Sequence, residues 1–220
     1  MARLHGLVNA IRTSSDCHVA FLDTVRQGNA SKLFQPPVPE VELLREVETR
    51  WDSAHGMLRT TIPARPAIEA MMIQKKYCEI RSKNLTDEQW TMAQKILDIL
   101  DYPHLFQHLM TGEATPTLSS ALPAFQCLQD RWEDHAGKHP DMAKHILGGM
   151  ERLDKYHEKA GRMRAYVIAL VLNPTIKLSF IRKHWSPIEQ EMAEIWIKDE
   201  VSIVPPQRWW WLLPVVQSSF

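Results

Sequence analysis

The stretch that decides the fold is Thr86-Asp87-Glu88-Gln89-Trp90-Thr91-Met92-Ala93-Gln94-Lys95-Ile96-Leu97-Asp98-Ile99-Leu100. It opens with T-x-x-Q, the capping-box pattern, in which residue one accepts from the backbone of residue four and residue four reaches back. Trp90, Ala93, Ile96, Leu97 and Leu100 then recur at helical spacing, so they share one apolar face. Pro103 is expected to end or bend that helix, and a further helix is expected over residues 104–110, closed by Gly112.

The same periodicity extends in both directions. Leu4, Leu7, Val8 and Ile11, then Val19 and Leu22, predict a helix pair interrupted at Thr13-Ser14-Ser15-Asp16, where a cap for the second helix is available. Gln35-Pro36-Pro37-Val38-Pro39 cannot be helical and is expected to be irregular and poorly packed. Asp52 or Ser53 offers a cap for a helix through Met57 and Leu58. Ile68, Met71, Met72 and Tyr77 place another helix at 66–80. Thr117 or Ser119 precedes a longer one carrying Leu122, Phe125, Leu128 and Trp132. His139-Pro140-Asp141 opens the next. The apolar run at 163–172 reads equally as a buried strand or a buried helix. Asn173-Pro174 and Ser186-Pro187 start the last two. No Asn-Gly-type hairpin signal occurs. The chain is therefore read as all-α. Ser202–Val216, with Trp209-Trp210-Trp211, has no period of either kind and is expected to be an irregular tail.

Composition narrows the function. Lys plus Arg equals Asp plus Glu at 26 each, so there is no basic excess of the kind a general nucleic-acid binder carries. Any such contact must come from a local patch. Three distant cysteines, Cys17, Cys78 and Cys127, make no disulfide framework and point to a reducing compartment. No signal-peptide core or membrane-length apolar run is present. A soluble intracellular protein is expected, nuclear or cytoplasmic and not secreted, with no membrane partner.

Sites for chemistry are sparse. No G-x-S-x-G, P-loop or G-x-G-x-x-G occurs. His104 and His108 share a helix face, but the pair lacks the glutamate of H-E-x-x-H. His135, His139 and His145 have no cysteine at finger spacing. No metal or other cofactor is expected. Lys75, Lys76, Arg81 and Lys83 read as a solvated basic face.

Four stretches in order resemble hAT-family DNA transposases. They are Leu4–Phe21, Glu48–Leu58 (ETRWDSAHGML), the Leu85–Trp90 and Thr115–Pro123 pair of segments, and Ala169–Lys177 (ALVLNPTIK) with Phe180 and Trp185 behind it. The second is similar to the pattern (T)RW-[ND]-S-x-x-x-M-L. The resemblance covers residues 4–196. It implies a multi-helix array like the insertion domain of that family, without a complete ribonuclease H-like sheet. It divides the chain into a helical remnant at 1–27, a Pro-rich linker at 28–47, a helical insertion domain at 48–200 and the tail at 201–220. It also implies that Arg50 and Trp51 bind DNA at a hairpin or transposon end, Trp51 by stacking on a flipped base and Arg50 at a phosphate. The family holds Mg or Mn ions on a carboxylate triad that falls outside the matched blocks. The expectation is a truncated or decayed transposase fragment, with no catalytic residues and no transposase activity. The alternatives are an α-helical protein-interaction scaffold that binds no DNA, and a complete small enzyme on an all-α fold.

Overall fold

The structure is a computed structural model that describes residues 1–47, 51–111 and 117–203, apart from the side chains of Trp51, Lys75, Cys78, Glu79, Val201 and Ile203. Arg50, Gly112 and the Trp-rich segment lie outside the described residues. Among those described, secondary structure is helical, and no helix is long and apolar enough to cross a membrane. The chain divides into two compact units, residues 1–104 and 105–220.

In the first unit, α1 (Ala2–Thr13) and α2 (Ser15–Ala30) are separated at Ser14, whose hydroxyl accepts from the Cys17 amide at 3.4 Å. This is the interruption expected from sequence, and it satisfies one of the amides that every helix start leaves open. Leu4, Leu7, Val8 and Ile11 are all buried. α1 packs on α2, and α2 packs on α4 (Arg65–Ile73). A 3₁₀ turn at Lys75–Tyr77 and the short α5 (Cys78–Arg81) replace the second half of the helix expected at 66–80. Arg81 explains that break. Its guanidinium donates to the Met72 carbonyl at 2.7 and 3.1 Å, so it satisfies an open acceptor at the end of α4.

α2 continues through Gly28 and stops at Ser31. Lys32 then adopts a left-handed backbone (φ 59°), and the Leu33 amide returns to the Gly28 carbonyl at 2.8 Å, as at many helix ends. Gly28 is required by packing. A Cβ there would lie 2.0 Å from Cε2 of Phe34. The Pro-rich segment is irregular, as expected, but it is not loosely packed. Phe34, Val38 and Leu43 are buried, and the Asn29 amide brackets Val38 at both its carbonyl (2.8 Å) and its N–H (2.9 Å). Apolar residues between prolines can anchor an extended strap without any period.

α3 (Trp51–Thr61) buries Met57 and Leu58. α6 (Asp87–Met110) opens with the predicted capping box: the Thr86 amide donates to Gln89 Oε1 at 3.1 Å, and the Gln89 amide donates to Thr86 Oγ1 at 3.3 Å. Trp90 and Ala93 are buried in the core, with Ile96, Leu97 and Leu100 packed against it. Arg65 crosses to this helix, lying over the Trp90 ring at 5.5 Å and donating to Asp87. Of the two outcomes expected at Pro103, an end or a bend, the end is overturned, because α6 runs through it to Met110. Proline removes one N–H and crowds one carbonyl. A helix already held by a cap and a buried face can carry that cost, so α6 is one element where the sequence suggested two.

In the second unit, α7 (Leu118–Lys138) and α8 (Ala143–Gly161) are antiparallel. The ring pair Phe125–His157, the bond Gln129–Asp154 and the contact of Trp132 with Gly149 advance along α7 while receding along α8. The ambiguous apolar run becomes α9 (Arg164–Leu172), with Val167, Leu170 and Val171 buried at helical spacing. A helix satisfies its own backbone, whereas a strand needs a partner. Asn173 ends α9, and its side-chain oxygen accepts from Thr175 at both the amide (3.1 Å) and the hydroxyl (2.7 Å). After α10 (Ser179–His184), Ser186 and Glu189 form a second reciprocal cap for α11 (Pro187–Ile203).

Candidate functional site

The start of α3 is fixed from outside the helix. Ser53 Oγ accepts from the Val47 amide at 2.7 Å and donates to the Val47 carbonyl at 2.9 Å, so it ties residue 47 to the first turn of α3. Trp51 is the first helical residue, and its side chain lies outside the described residues, as does Arg50 entirely.

Immediately behind Trp51, Asp52 and His55 stand three apart and so project from one face of α3. Asp101 and His104 repeat that spacing on α6. The two pairs are crossed. His55 Nε2 is 2.7 Å from Asp101 Oδ1, and His104 Nδ1 is 2.6 Å from Asp52 Oδ1. The two imidazoles stack with centroids 4.0 Å apart and planes 22° from parallel. Exposure rises outward: the side chains of His55, His104, Asp52 and Asp101 are 2%, 21%, 47% and 57% accessible. The cluster therefore has a dry imidazole floor and a wet carboxylate mouth. Each ring nitrogen facing a carboxylate serves as the donor, which fixes the tautomer or the imidazolium orientation. One donor atom from each of Asp52, His55 and His104 lies within 4.8 Å of the others.

Sequence reading did not find this cluster. It placed His104 and His108 on one helix face without a metal motif; His108 is exposed, and His104 bonds to Asp52 of α3. The available signal was the repeated Asp-x-x-His, at Asp52–His55 and Asp101–His104. Of the other histidines noted from sequence, His135 is buried and lies 4.5 Å from the His139 ring, and His145 is exposed. In the basic cluster, Arg81 is engaged at the end of α4, and Lys76 pairs with Asp16 at 3.5 Å.

The second unit has its own cleft, of about 520 Å³, lined among others by Gln129, Asp154, His157, Arg162, His184 and Glu189. Burial holds the His157 imidazole below its ordinary value, against the opposite pull of Asp154 and Glu189. The Glu189 carboxyl is lowered by its hydrogen bonds from the Ser186 hydroxyl and amide. Arg162 donates to Glu158, so the charges along this cleft are largely paired.

Comparison with known protein families, curated proteins and solved structures finds no match to this chain.

Proposed function

We propose that these 220 residues are the helical insertion region of a hAT-type transposase, in decayed or domesticated form. The region binds hairpin-ended or single-stranded DNA at Arg50 and Trp51 and carries out no strand chemistry. One observation supports the reading most: every element formed in the described part of the span that resembles that family is a helix, and Trp51 opens a helix of its own. A tryptophan in the first turn of a helix stands where open backbone amides already favour a phosphate, and stacking on an indole is worth ~1–3 kcal/mol per base. Two-metal phosphoryl transfer needs carboxylates converging on ions about 4 Å apart. The blocks of resemblance do not include that triad.

The test is a titration of hairpin-ended DNA, single-stranded DNA and blunt duplex at two salt concentrations. Binding that prefers the hairpin and weakens with salt, with no Mg²⁺- or Mn²⁺-dependent nick, is the expected outcome. A reproducible metal-dependent nick abolished by one carboxylate substitution would overturn the claim of catalytic silence.

A second reading, an α-helical scaffold for another protein, rests on α11. Ile188, Met192 and Ile195 form an i, i+4, i+7 row there and are 77%, 41% and 51% exposed. A charge balance of zero also suits a protein partner better than a polyanion. Absence of any salt-dependent DNA binding would favour this reading.

A further inference from the structure

We propose that Asp52, His55 and His104 form a binding site for one divalent transition-metal ion of the zinc class, held between α3 and α6. The inference is independent of whether DNA is bound, because it rests on the donor set alone.

Two imidazoles and one carboxylate are the ligand set of many mononuclear zinc sites, which keep a further position for water. Here one donor atom from each residue lies within 4.8 Å of the others, on two helices whose side chains already converge. Donors that share an ion at ~2.0–2.2 Å sit a little over 3 Å apart in tetrahedral geometry. Asp52 Oδ1 and His104 Nδ1 are 2.6 Å apart and the two rings stack, so an ion bound in the plane of both imidazoles requires the partly exposed His104 ring to turn out of the stack and away from its present bond to Asp52. Asp52 is nearly half exposed and sits at the mouth, where its carboxylate can rotate to meet the ion.

The floor of the site is already built. His55 is 98% buried, and its ring is held through Nε2 by Asp101 at 2.7 Å. A carboxylate behind a ligating histidine fixes the orientation of the ring, so Asp101 is a positioning residue. The crossed repetition of Asp-x-x-His on two helices gives the ion a ligand from each element. Binding therefore clips α3 to α6 and stabilises the folded chain by mass action.

The experiment uses the full chain freed of metal with chelator and titrated with Co²⁺, then with Zn²⁺. The expected result is visible d–d absorption of tetrahedral intensity saturating at one equivalent, bleached by Zn²⁺, without the near-ultraviolet sulfur-to-metal band that Cys17, Cys78 or Cys127 would add. Zn²⁺ should also raise the melting temperature. Asp52→Asn and His104→Gln alter half-exposed side chains, so the fold should persist by circular dichroism, and each should weaken Co²⁺ binding at least tenfold. Asp101→Asn should weaken it ~10–100-fold while leaving the stoichiometry at one. His108→Gln, one turn beyond His104 and exposed, should leave it unchanged. Absence of stoichiometric absorption in the parent chain would overturn the proposal, as would binding in Asp52→Asn and His104→Gln equal to the parent.

Discussion

Residues 1–104 bury Leu4, Leu7, Ile11, Phe21, Leu43, Met57, Leu58, Ile68 and Met71 at under 2% exposure, and Phe34 closes on Gly28 more tightly than any ring does on a described glycine of the other unit. The described part of residues 105–220 buries fewer large side chains to that degree, Leu122, Ile146, Val167, Leu170 and Ile181, with Ala121 and Ala193 beside them. Their helices are joined as much by polar bonds: Gln129 to Asp154, Arg164 to Asp199 at 2.9 Å, Asn173 to Ser119 at 3.2 Å. Close packing stores stability in volume, so the first unit should be intolerant of changes in size. Exposed polar pairs are individually weak. The second unit should tolerate such changes better and respond more to pH.

The sharpest contrast comes from truncating the cores. Phe21→Ala should cost ~3–5 kcal/mol, and Leu170→Ala should lie near the lower end of the ~2–5 range, both read by denaturant unfolding. Equal or reversed losses would break the comparison. Added volume should separate closed from open helix glycines by sign, whichever unit holds them. Gly28→Ala drives a methyl into Phe34 and should cost ~1–3 kcal/mol, with partial recovery in Gly28→Ala/Phe34→Leu. Gly148→Ala, in the interior of α8 with nothing within 4 Å of the added carbon, should gain ~0.5–1 kcal/mol. Destabilisation by both would mean that α8 is covered at that point.

The reciprocal caps should behave alike in the two units. Thr86→Ala and Ser186→Ala should each cost ~1 kcal/mol by thermal melting. The smallest expected effect is on pH. The unfolded chain protonates His157 at its ordinary value, whereas the folded chain does so only at lower pH, so stability is full near neutrality and falls as pH drops below ~6.5. Glu189 adds stability above its unfolded value and loses it as pH falls through the lower folded value. His157→Gln should flatten the first of these slopes. An unchanged slope would show that other groups carry it.

What could be read in advance followed from locality. Both reciprocal caps span four residues, and the apolar face of α6 repeats every turn, so Thr86, Gln89, Trp90 and Ser186 were legible from spacing. The run at 164–172 was not, because a short, fully apolar segment has no polar face to betray its period. Pro103 misled, since the cost of one proline was set against a cap and a core that its neighbours do not reveal. The Asp–His cluster was hidden for a different reason. Its bonds join residues 46 and 52 apart, and only the fold brings them together. Within each helix the motif is two polar residues among many. Arg50 and Trp51 were legible only through resemblance, and periodicity says nothing about them.

The most direct test of the functional account is Trp51→Ala, examined by DNA titration and thermal melting on the same preparation. If Trp51 serves as a stacking face at the start of α3, the variant should melt close to the parent and bind hairpin-ended DNA ~5–150-fold more weakly, the equivalent of ~1–3 kcal/mol. A melting loss corresponding to ~3–5 kcal/mol, together with no measurable DNA affinity in the parent, would contradict it.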